Sequence, residues 1–362
     1  MKKKTAIAIS GGIDSLVSAY LLKKEGCEVT GIHFLTGYER YDKQAENNEE
    51  AALRKIFDLA GQLDIRIEIL DCSREFKTKV VDYFTNTYRS GKTPNPCLVC
   101  NPSIKFGTVL DFALKLGAES LATGHYAGKI QGKDGSFHLV KGADTKKDQS
   151  YFLSFLTQAQ LSRAIFPLSR FTKQEVIRLA GEKGLRPAVE SESQDICFIR
   201  EMSYGTFLSQ ETGFIPEPGA VVDISGKRIG SHGGIHLFTV GQRRGINCPA
   251  PEPYYVISTD AEKNLVVVGS KNDLLTNRCH VTDINWISKE QTSPIEVHTR
   301  IRYRNKAVIS TLIPEGKRSA TVIFKNPQQA VTPGQGAVFY LENEVLGGGF
   351  IDGFVKSRNM LT

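Results

Sequence analysis

No stretch of the sequence approaches the roughly 18 uncharged apolar residues that crossing a bilayer requires, so no membrane span is expected. Met1-Lys2-Lys3-Lys4 followed by Thr5–Ile9 starts like a secretory signal, but its apolar run stops at five residues. An export core needs roughly 7–15, and here the run meets Ser10, two glycines and Asp14 instead. Cysteine is sparse, with seven in 362 residues. An odd count without an export signal excludes a disulfide-stapled secreted protein, points to the reducing cytoplasm and leaves individual thiols free to act. Internal repeats and low-complexity segments are lacking. The histidines show no metal spacing, because Gly233 and Gly234 between His232 and His236 argue against one helix face. Neither sign of charge dominates: 46 Lys+Arg against 39 Asp+Glu leave +7, which permits a polyanion partner without requiring one. With 40% apolar and 23% charged residues the chain is an ordinary globular one, and its length implies two or three domains.

What is present is a rhythm of short β-branched runs and longer helical patterns up to about residue 200. Thr5–Ile9, Glu28–Phe34, Ile65–Leu70 and Ser120–Thr123 read as strands. Asp14–Lys24, Asn48–Gln62, Glu75–Arg89, Lys105–Leu116, Ser150–Leu161 and Thr172–Lys183 read as helices. Thr172 with Glu175 fits a capping box, and Gly184 fits a C-terminal cap. Apolar strands alternating with helices predict an α/β domain with a doubly wound parallel sheet, over residues 1–206. Ligands of such sheets bind at the carboxyl ends of the strands. Beyond Gly213 prolines and glycines punctuate short runs, giving a small mixed central domain over 207–277. Runs such as Ala320–Phe324 and Ala337–Leu341 predict a C-terminal antiparallel β-barrel over 278–362.

Two constellations carry chemistry. Ser10-Gly11-Gly12-Ile13-Asp14-Ser15 lies between the first strand and first helix, where glycines admit close backbone approach and the helix start offers free N–H groups. The string resembles the pyrophosphate-binding loop of the ATP pyrophosphatase family, and it lacks the Gly-Lys-Ser/Thr of a Walker loop. Asp14 is expected to cap the helix, to position magnesium-bound phosphates, or both. The second is a Pro-bounded loop, Thr93-Pro94-Asn95-Pro96-Cys97-Leu98-Val99-Cys100-Asn101, together with Cys197 in a stretch that opens Glu190-Ser191-Glu192-Ser193-Gln194-Asp195. Three thiols fit a zinc site poorly and a redox pair little better. Sulfur-carrying nucleophiles and a three-thiolate [4Fe–4S] cluster both fit the count. Cys27, Cys72, Cys248 and Cys279 read as inert packing residues.

From Ala8 to about Gly349 the chain resembles the tRNA-specific 2-thiouridylases. The resemblance rests on Ser10–Ser15, Asn95-Pro96-x-x-x-Cys100-Asn101, Ile104-Lys105-Phe106 and Ala122-Thr123-Gly124-His125-Tyr126. Lys147-Asp148-Gln149-Ser150-Tyr151-Phe152-Leu153, Ile196-Cys197-Phe198-Ile199, Gly241-Gln242-Arg243 and Thr332-Pro333-Gly334-Gln335 extend it. It implies ATP against Ala8, Ile9, Ser10, Gly11, Gly12, Ile13, Asp14, Ser15, Phe34 and Gly124, with Mg2+. It implies a catalytic thiol at Cys100 and a persulfide-receiving one at Cys197. Asn95, Pro96 and Cys97 would meet the target base, and Lys147, Asp148, Gln149, Arg302 and Tyr303 the tRNA.

The implied activity is adenylation of the C2 carbonyl of the wobble uridine in the anticodon stem-loop. Sulfur from a donor protein or sulfide then replaces the oxygen, with AMP and pyrophosphate released. The ionised thiolate is the nucleophile, so a cation or helix start beside Cys100 is expected to lower its pKa. Arg300, Arg302 and Arg304 alternate with Ile301 and Tyr303, which predicts a strand with three guanidiniums on one face for a phosphate backbone. Three departures stand out. Cys97 occupies a position where the commoner pattern has Asp, Leu35-Thr36-Gly37-Tyr38 replaces an acidic, Trp-containing stretch, and Pro102-Ser103 replaces a more charged pair. The first makes Cys97, Cys100 and Cys197 resemble the three-cysteine sites of iron–sulfur-dependent tRNA thiolases. Rival readings are a non-thiolating adenylating enzyme and a non-catalytic tRNA-binding iron–sulfur protein.

Overall fold

The computed structural model describes residues 2–39, 49–189, 196–199, 203–212 and 215–356. The chain divides into two compact units. One comprises Met1–Val80, Cys97–Glu201 and Asn343–Leu346; the other comprises Val81–Pro96, Met202–Glu342 and Gly347–Thr362.

The first unit opens β1 (Lys4–Ala8), α1 (Ile13–Lys24), β2 (Glu28–Leu35), α2 (Glu49–Gln62) and β3 (Arg66–Asp71). Asn48, where the sequence predicts the second helix to begin, lies outside the described residues. After a helical run over Pro96–Lys115 come β4 (Ser120–Ala122), then β5 (Ala127–Gln131) and β6 (Phe137–Lys141), an antiparallel hairpin that Glu344 and Val345 join. The short β7 (Ala164–Ile165) completes a five-stranded sheet of order β3-β2-β1-β4-β7, parallel throughout. Sequence order reverses between β1 and β4, so the crevice for a ligand opens where those two strands end. Ile7, Ile9, Leu16, Val17, Leu22, Leu59 and Ala122 form its core with Val176 and Ala180 of the helix Lys173–Glu182.

That last helix shows how local signals set boundaries. Thr172 and Glu175 make both bonds of a capping box. At the other end Gly184 adopts φ +64°, and the amides of Gly184 and Leu185 bond back to the carbonyls of Gly181 and Ala180, which closes the helix in a Schellman turn. The single helix predicted over Ser150–Leu161 is instead a 3-10 turn, Ser150–Leu153, and a separate helix, Gln158–Arg163. The break comes from Thr157, which starts the second piece with its own capping box to Gln160. Pro96–Lys115 has the length and mean hydropathy, 1.2, of a membrane span. It nevertheless carries Lys105 and Asp111, and Leu98, Ile104, Phe106, Val109 and Ala113 are buried in the fold, as in the core helix of a folded domain.

In the second unit β8 (Gly219–Asp223), β9 (Arg228–His232), β10 (Tyr255–Asp260) and β11 (Leu265–Gly269) form a sheet of order β10-β11-β8-β9. Its β8–β11 pair is parallel, and Val221, Ile235, Phe238, Val256, Val266 and Val268 fill its core. Six further strands follow: β12 (Leu275–Trp286), β13 (Ile295–Arg300), β14 (Val308–Pro314), β15 (Ala320–Gln329), β16 (Gly336–Leu341) and β17 (Glu344–Lys356). They run β12-β15-β14-β13-β16-β17, and pairing of β17 back to β12 closes the antiparallel barrel. Ala320, Val322 and Phe324 point inward at every second position, as a half-buried strand requires.

Candidate nucleotide and sulfur-transfer site

The loop after β1 is shaped by Gly11, whose φ of +87° is a left-handed conformation that side chains rarely adopt. Its carbonyl accepts from the amides of Ala188 and Val189 at 2.8 and 3.1 Å. Gly12 begins α1 without any side-chain cap, so the first-turn amides of Ile13, Asp14 and Ser15 have no intrahelical partner and face outward with the positive end of the helix dipole. Ser15 donates to the Gly12 carbonyl at 2.9 Å and accepts from the Ser10 amide and hydroxyl at 3.3 Å each. Ala8 and Ile9 are buried, and His33 braces the Ile9 carbonyl at 2.8 Å. Half-buried Phe34 lies near the carboxyl end of the neighbouring β2. Gly124 follows β4, on the other side of the switch point. A Cβ there would sit 2.9 Å from the Asp14 carbonyl carbon and 3.0 Å from the Ser15 amide nitrogen, so only glycine lets the two segments meet.

Asp14 does not cap its helix. Its carboxylate takes Lys173 Nζ at 2.8 and 2.9 Å and the Tyr126 hydroxyl at 2.7 Å. Nothing in the sequence signals these contacts, which span 159 and 112 residues, although Tyr126 closes the Ala122–Tyr126 string. Buried Lys173 therefore brings a cation to the phosphate loop. Asp14→Ala should cost about 1–3 kcal/mol by removing this ion pair and its hydrogen bonds, and should weaken ATP binding. Urea denaturation and an ATP titration check this; wild-type values in both would contradict the assigned role. Mg2+ usually takes one or two carboxylates and completes its shell with phosphate oxygens and water. Asp14 suits that, once it exchanges Lys173 for the metal.

Cys97, Cys100 and Cys197 fall in the same unit. Cys97 and Cys197 are exposed, Cys100 half-buried. Asn101 holds the Cys97 turn through Nδ2, which donates to the Cys97 and Phe152 carbonyls at 3.0 Å each. Cys197 is anchored by its neighbour Phe198, whose ring meets Phe76 at 5.5 Å and Tyr38 at 5.9 Å between centroids. The acidic residues that precede it, Glu190 to Asp195, lie outside the described residues. The thiols sense one another: burial pushes Cys100 up to about 12, with Lys105 pulling down and Cys197 and Cys97 pushing further up. Cys97 is exposed at its surface, yet the packing beneath it pushes its thiol up to about 11.

The expected lowering of the Cys100 pKa is thus reversed, because desolvation outweighs the nearby cation. Iodoacetamide labelling of Cys100 in the substrate-free protein should then accelerate about tenfold per pH unit between pH 7 and 9. A plateau near pH 7.5 in peptide mapping would contradict it. Among the described residues no group of three His, Cys, Asp or Glu side chains converges on a single metal-ion position. Cys72 and Cys279 are buried and raised to about 12 by desolvation first of all, in keeping with a packing role.

The residues expected to meet tRNA fare unevenly. Asp148 is only 4% exposed. Its carboxylate takes the amides of Gly142 and Ser150 and the Ser150 hydroxyl, so here it pins its own loop. Gln149 exchanges hydrogen bonds with the Tyr126 backbone, while Lys147 keeps a half-exposed side chain. Asn95 is buried, its amide bonded to the Tyr83 hydroxyl, and Pro96 starts the thiol helix. The predicted strand of alternating arginines does not exist. β13 ends at Arg300, and residues 301–305 form a turn. Arg300 donates to the Asn305 carbonyl at 3.0 Å and to the Tyr303 carbonyl. Arg302 is half-buried and donates to the Val240 carbonyl at 2.9 Å and to the Thr332 hydroxyl. Alternation misled here because guanidiniums that brace a turn give the same pattern as guanidiniums on a strand face. Arg304 and Lys306 remain exposed.

Residues 3–201 match the tRNA methyl transferase HUP domain, 205–270 the tRNA methyl transferase PRC-barrel domain and 276–351 the aminomethyltransferase beta-barrel domain. The tRNA-specific 2-thiouridylase MnmA of Desulfosudis oleivorans is 50% identical over 346 residues, 96% of this chain and 94% of its own length. That of Geobacter metallireducens is 44% identical, covering 97% of both chains. Among solved structures, a predicted subunit of tRNA methyltransferase from Methanocaldococcus jannaschii superposes with TM-score 0.31 and 22% identity, covering 50% of this chain and 75% of that one. That likeness is too slight to carry a conclusion.

Proposed function

The chain belongs to the family of tRNA-specific 2-thiouridylases, and on that premise we infer that it replaces the C2 oxygen of the wobble uridine of tRNA with sulfur at the expense of ATP. It is a sulfurtransferase of tRNA. The observation that carries the reading is the pairing, in one unit, of an uncapped glycine loop at the switch point with three mutually sensing thiols. Oxide is a poor leaving group, so the carbonyl must be activated first. The uridine O2 attacks the α-phosphorus of ATP and pyrophosphate leaves. The amides of the Gly12–Ser15 turn, with Lys173, suit that departing anion. Mg2+, bound through Asp14 and the phosphates, would screen their charge. The target base must first leave its stack, which a loop nucleotide does at a cost of a few kcal/mol.

Sulfur delivery is assigned to Cys197 and Cys100. Cys197 carries the donated sulfur as a persulfide, and the terminal sulfur attacks C2 as the C2–O bond breaks and AMP leaves. Cys100 then attacks the Cys197 sulfur, which frees the thiocarbonyl and leaves a Cys100–Cys197 disulfide for a dithiol reductant to open. Cys100 rests protonated, its thiol pushed up by burial, and it must ionise to attack. Cys97 stands beside the target base, with Asn95 and Pro96 preceding it and Lys147 among the tRNA contacts. No step is assigned to a three-thiolate cluster. The domain division at 206 and 277 and a cytoplasmic location belong to the same reading.

Incubating unmodified tRNA with the protein, ATP, magnesium and a sulfide or persulfide source should give 2-thiouridine by nucleoside mass spectrometry, with pyrophosphate released only when tRNA is present. Pyrophosphate release indifferent to tRNA would favour a different adenylating enzyme.

A further inference from the structure

The helix that bears the thiols is irregular. Between Asn101 and Val109 its hydrogen bonds reach the fifth residue rather than the fourth, a π-helical geometry that is rare and concentrated at functional sites. Pro102 and Gly107, five apart, bracket the change. A Cβ on Gly107 would lie 2.9 Å from the Pro102 carbonyl oxygen, so the wide turn suits glycine there. In an α-helix, at about 100° per residue, Lys105 would point about 140° away from Cys100. The wider turn brings residues five apart back toward one side, and the charge of Lys105 is indeed felt at Cys97 and Cys100.

The far end of this lysine reaches the other half of the site. Its Nζ lies 3.5 Å from His125 Nε2, and His125 directly follows Gly124, the residue pressed against the phosphate-loop backbone. His125 cannot balance that charge. Burial, reinforced by Lys105 itself, holds it well below the ordinary imidazole range, and its Nδ1 is occupied by the Thr123 hydroxyl at 2.7 Å. Among the described residues no carboxylate lies within ion-pair distance of Lys105. A half-buried ammonium facing a neutral ring, with sulfurs on one side and the phosphate loop on the other, has attraction left for an anion.

We propose that Lys105 binds the phosphoryl group joining adenosine to the activated uridine and takes up its growing charge as sulfur displaces it. This rests on the function inferred above. As the C–S bond forms and the C2–O bond breaks, the bonding pair departs with the phosphoryl oxygen. A singly charged diester becomes dianionic AMP, and the added charge falls beside the ammonium.

The test compares AMP with adenosine by calorimetric titration of the full-length protein, because the two ligands differ only in that phosphoryl group. Lys105→Met and Lys105→Gln should each lose about tenfold or more in AMP affinity, with adenosine binding unchanged and Lys105→Arg keeping most of the preference. A general loss of packing would weaken both ligands together and leave their ratio intact. An unchanged ratio in both neutral variants overturns the assignment. A wild-type protein that binds neither ligand would overturn the nucleotide site itself, and the role of Lys105 with it.

Discussion

Cys100→Ser abolishes thiolation, lowering turnover by about three orders of magnitude or more, while ATP still binds with wild-type affinity. Serine keeps the size and hydrogen bonding of the side chain but cannot attack a persulfide at neutral pH. The nucleotide loop does not contain Cys100, so the two functions should separate. Cys197→Ser should behave alike in turnover yet differ in what it carries. Mass spectrometry after exposure to a persulfide donor should find an added sulfur at Cys197 in Cys100→Ser and none at Cys100 in Cys197→Ser. Residual thiolation above about one per cent in either variant would mean that the third thiol, Cys97, can replace its neighbour, and the assigned relay would fail.

The second large effect is expected at Gly124→Val. The new Cβ would fall 2.9 Å from the Asp14 carbonyl carbon, 3.0 Å from the Ser15 amide nitrogen and 3.1 Å from Asp14 Cβ. Two of these are backbone atoms that cannot turn aside. Forcing them apart should cost about 1–3 kcal/mol in stability and displace the first-turn amides that receive phosphate. ATP affinity should drop more than about tenfold. Thermal melting and ATP titration measure the two consequences separately. A variant that binds ATP normally would show that the start of α1 does not make the phosphate contact.

Much of this was legible because the signals were local. The glycine string between a strand and a helix, the Thr172–Glu175 box and the Gly184 turn each depend on residues within one helical turn of one another. Lys173 and Tyr126 could not be read this way, since they meet Asp14 only after the sheet has brought distant segments together. The π-helical turn was hidden for another reason. Cys100 and Lys105 lie five apart, which in a regular helix is a spacing for residues that do not meet. Asp148 shows what a string leaves open: it belongs to a recognisable one, and its carboxylate takes the amides of Gly142 and Ser150. A motif tells which residues matter and not whether they face a ligand or hold the loop that does.

Pairing of β17 with β12 has a consequence for handling and for damage. Along Thr276–Trp286 and Gly347–Lys356 the two strands pair with each other and leave no margin there for a stray chain. Truncation after residue 346 would open β12 and β16 at once, and such a shortened protein should precipitate on warming, by sheet-to-sheet accretion that light scattering detects, even though its phosphate loop is untouched.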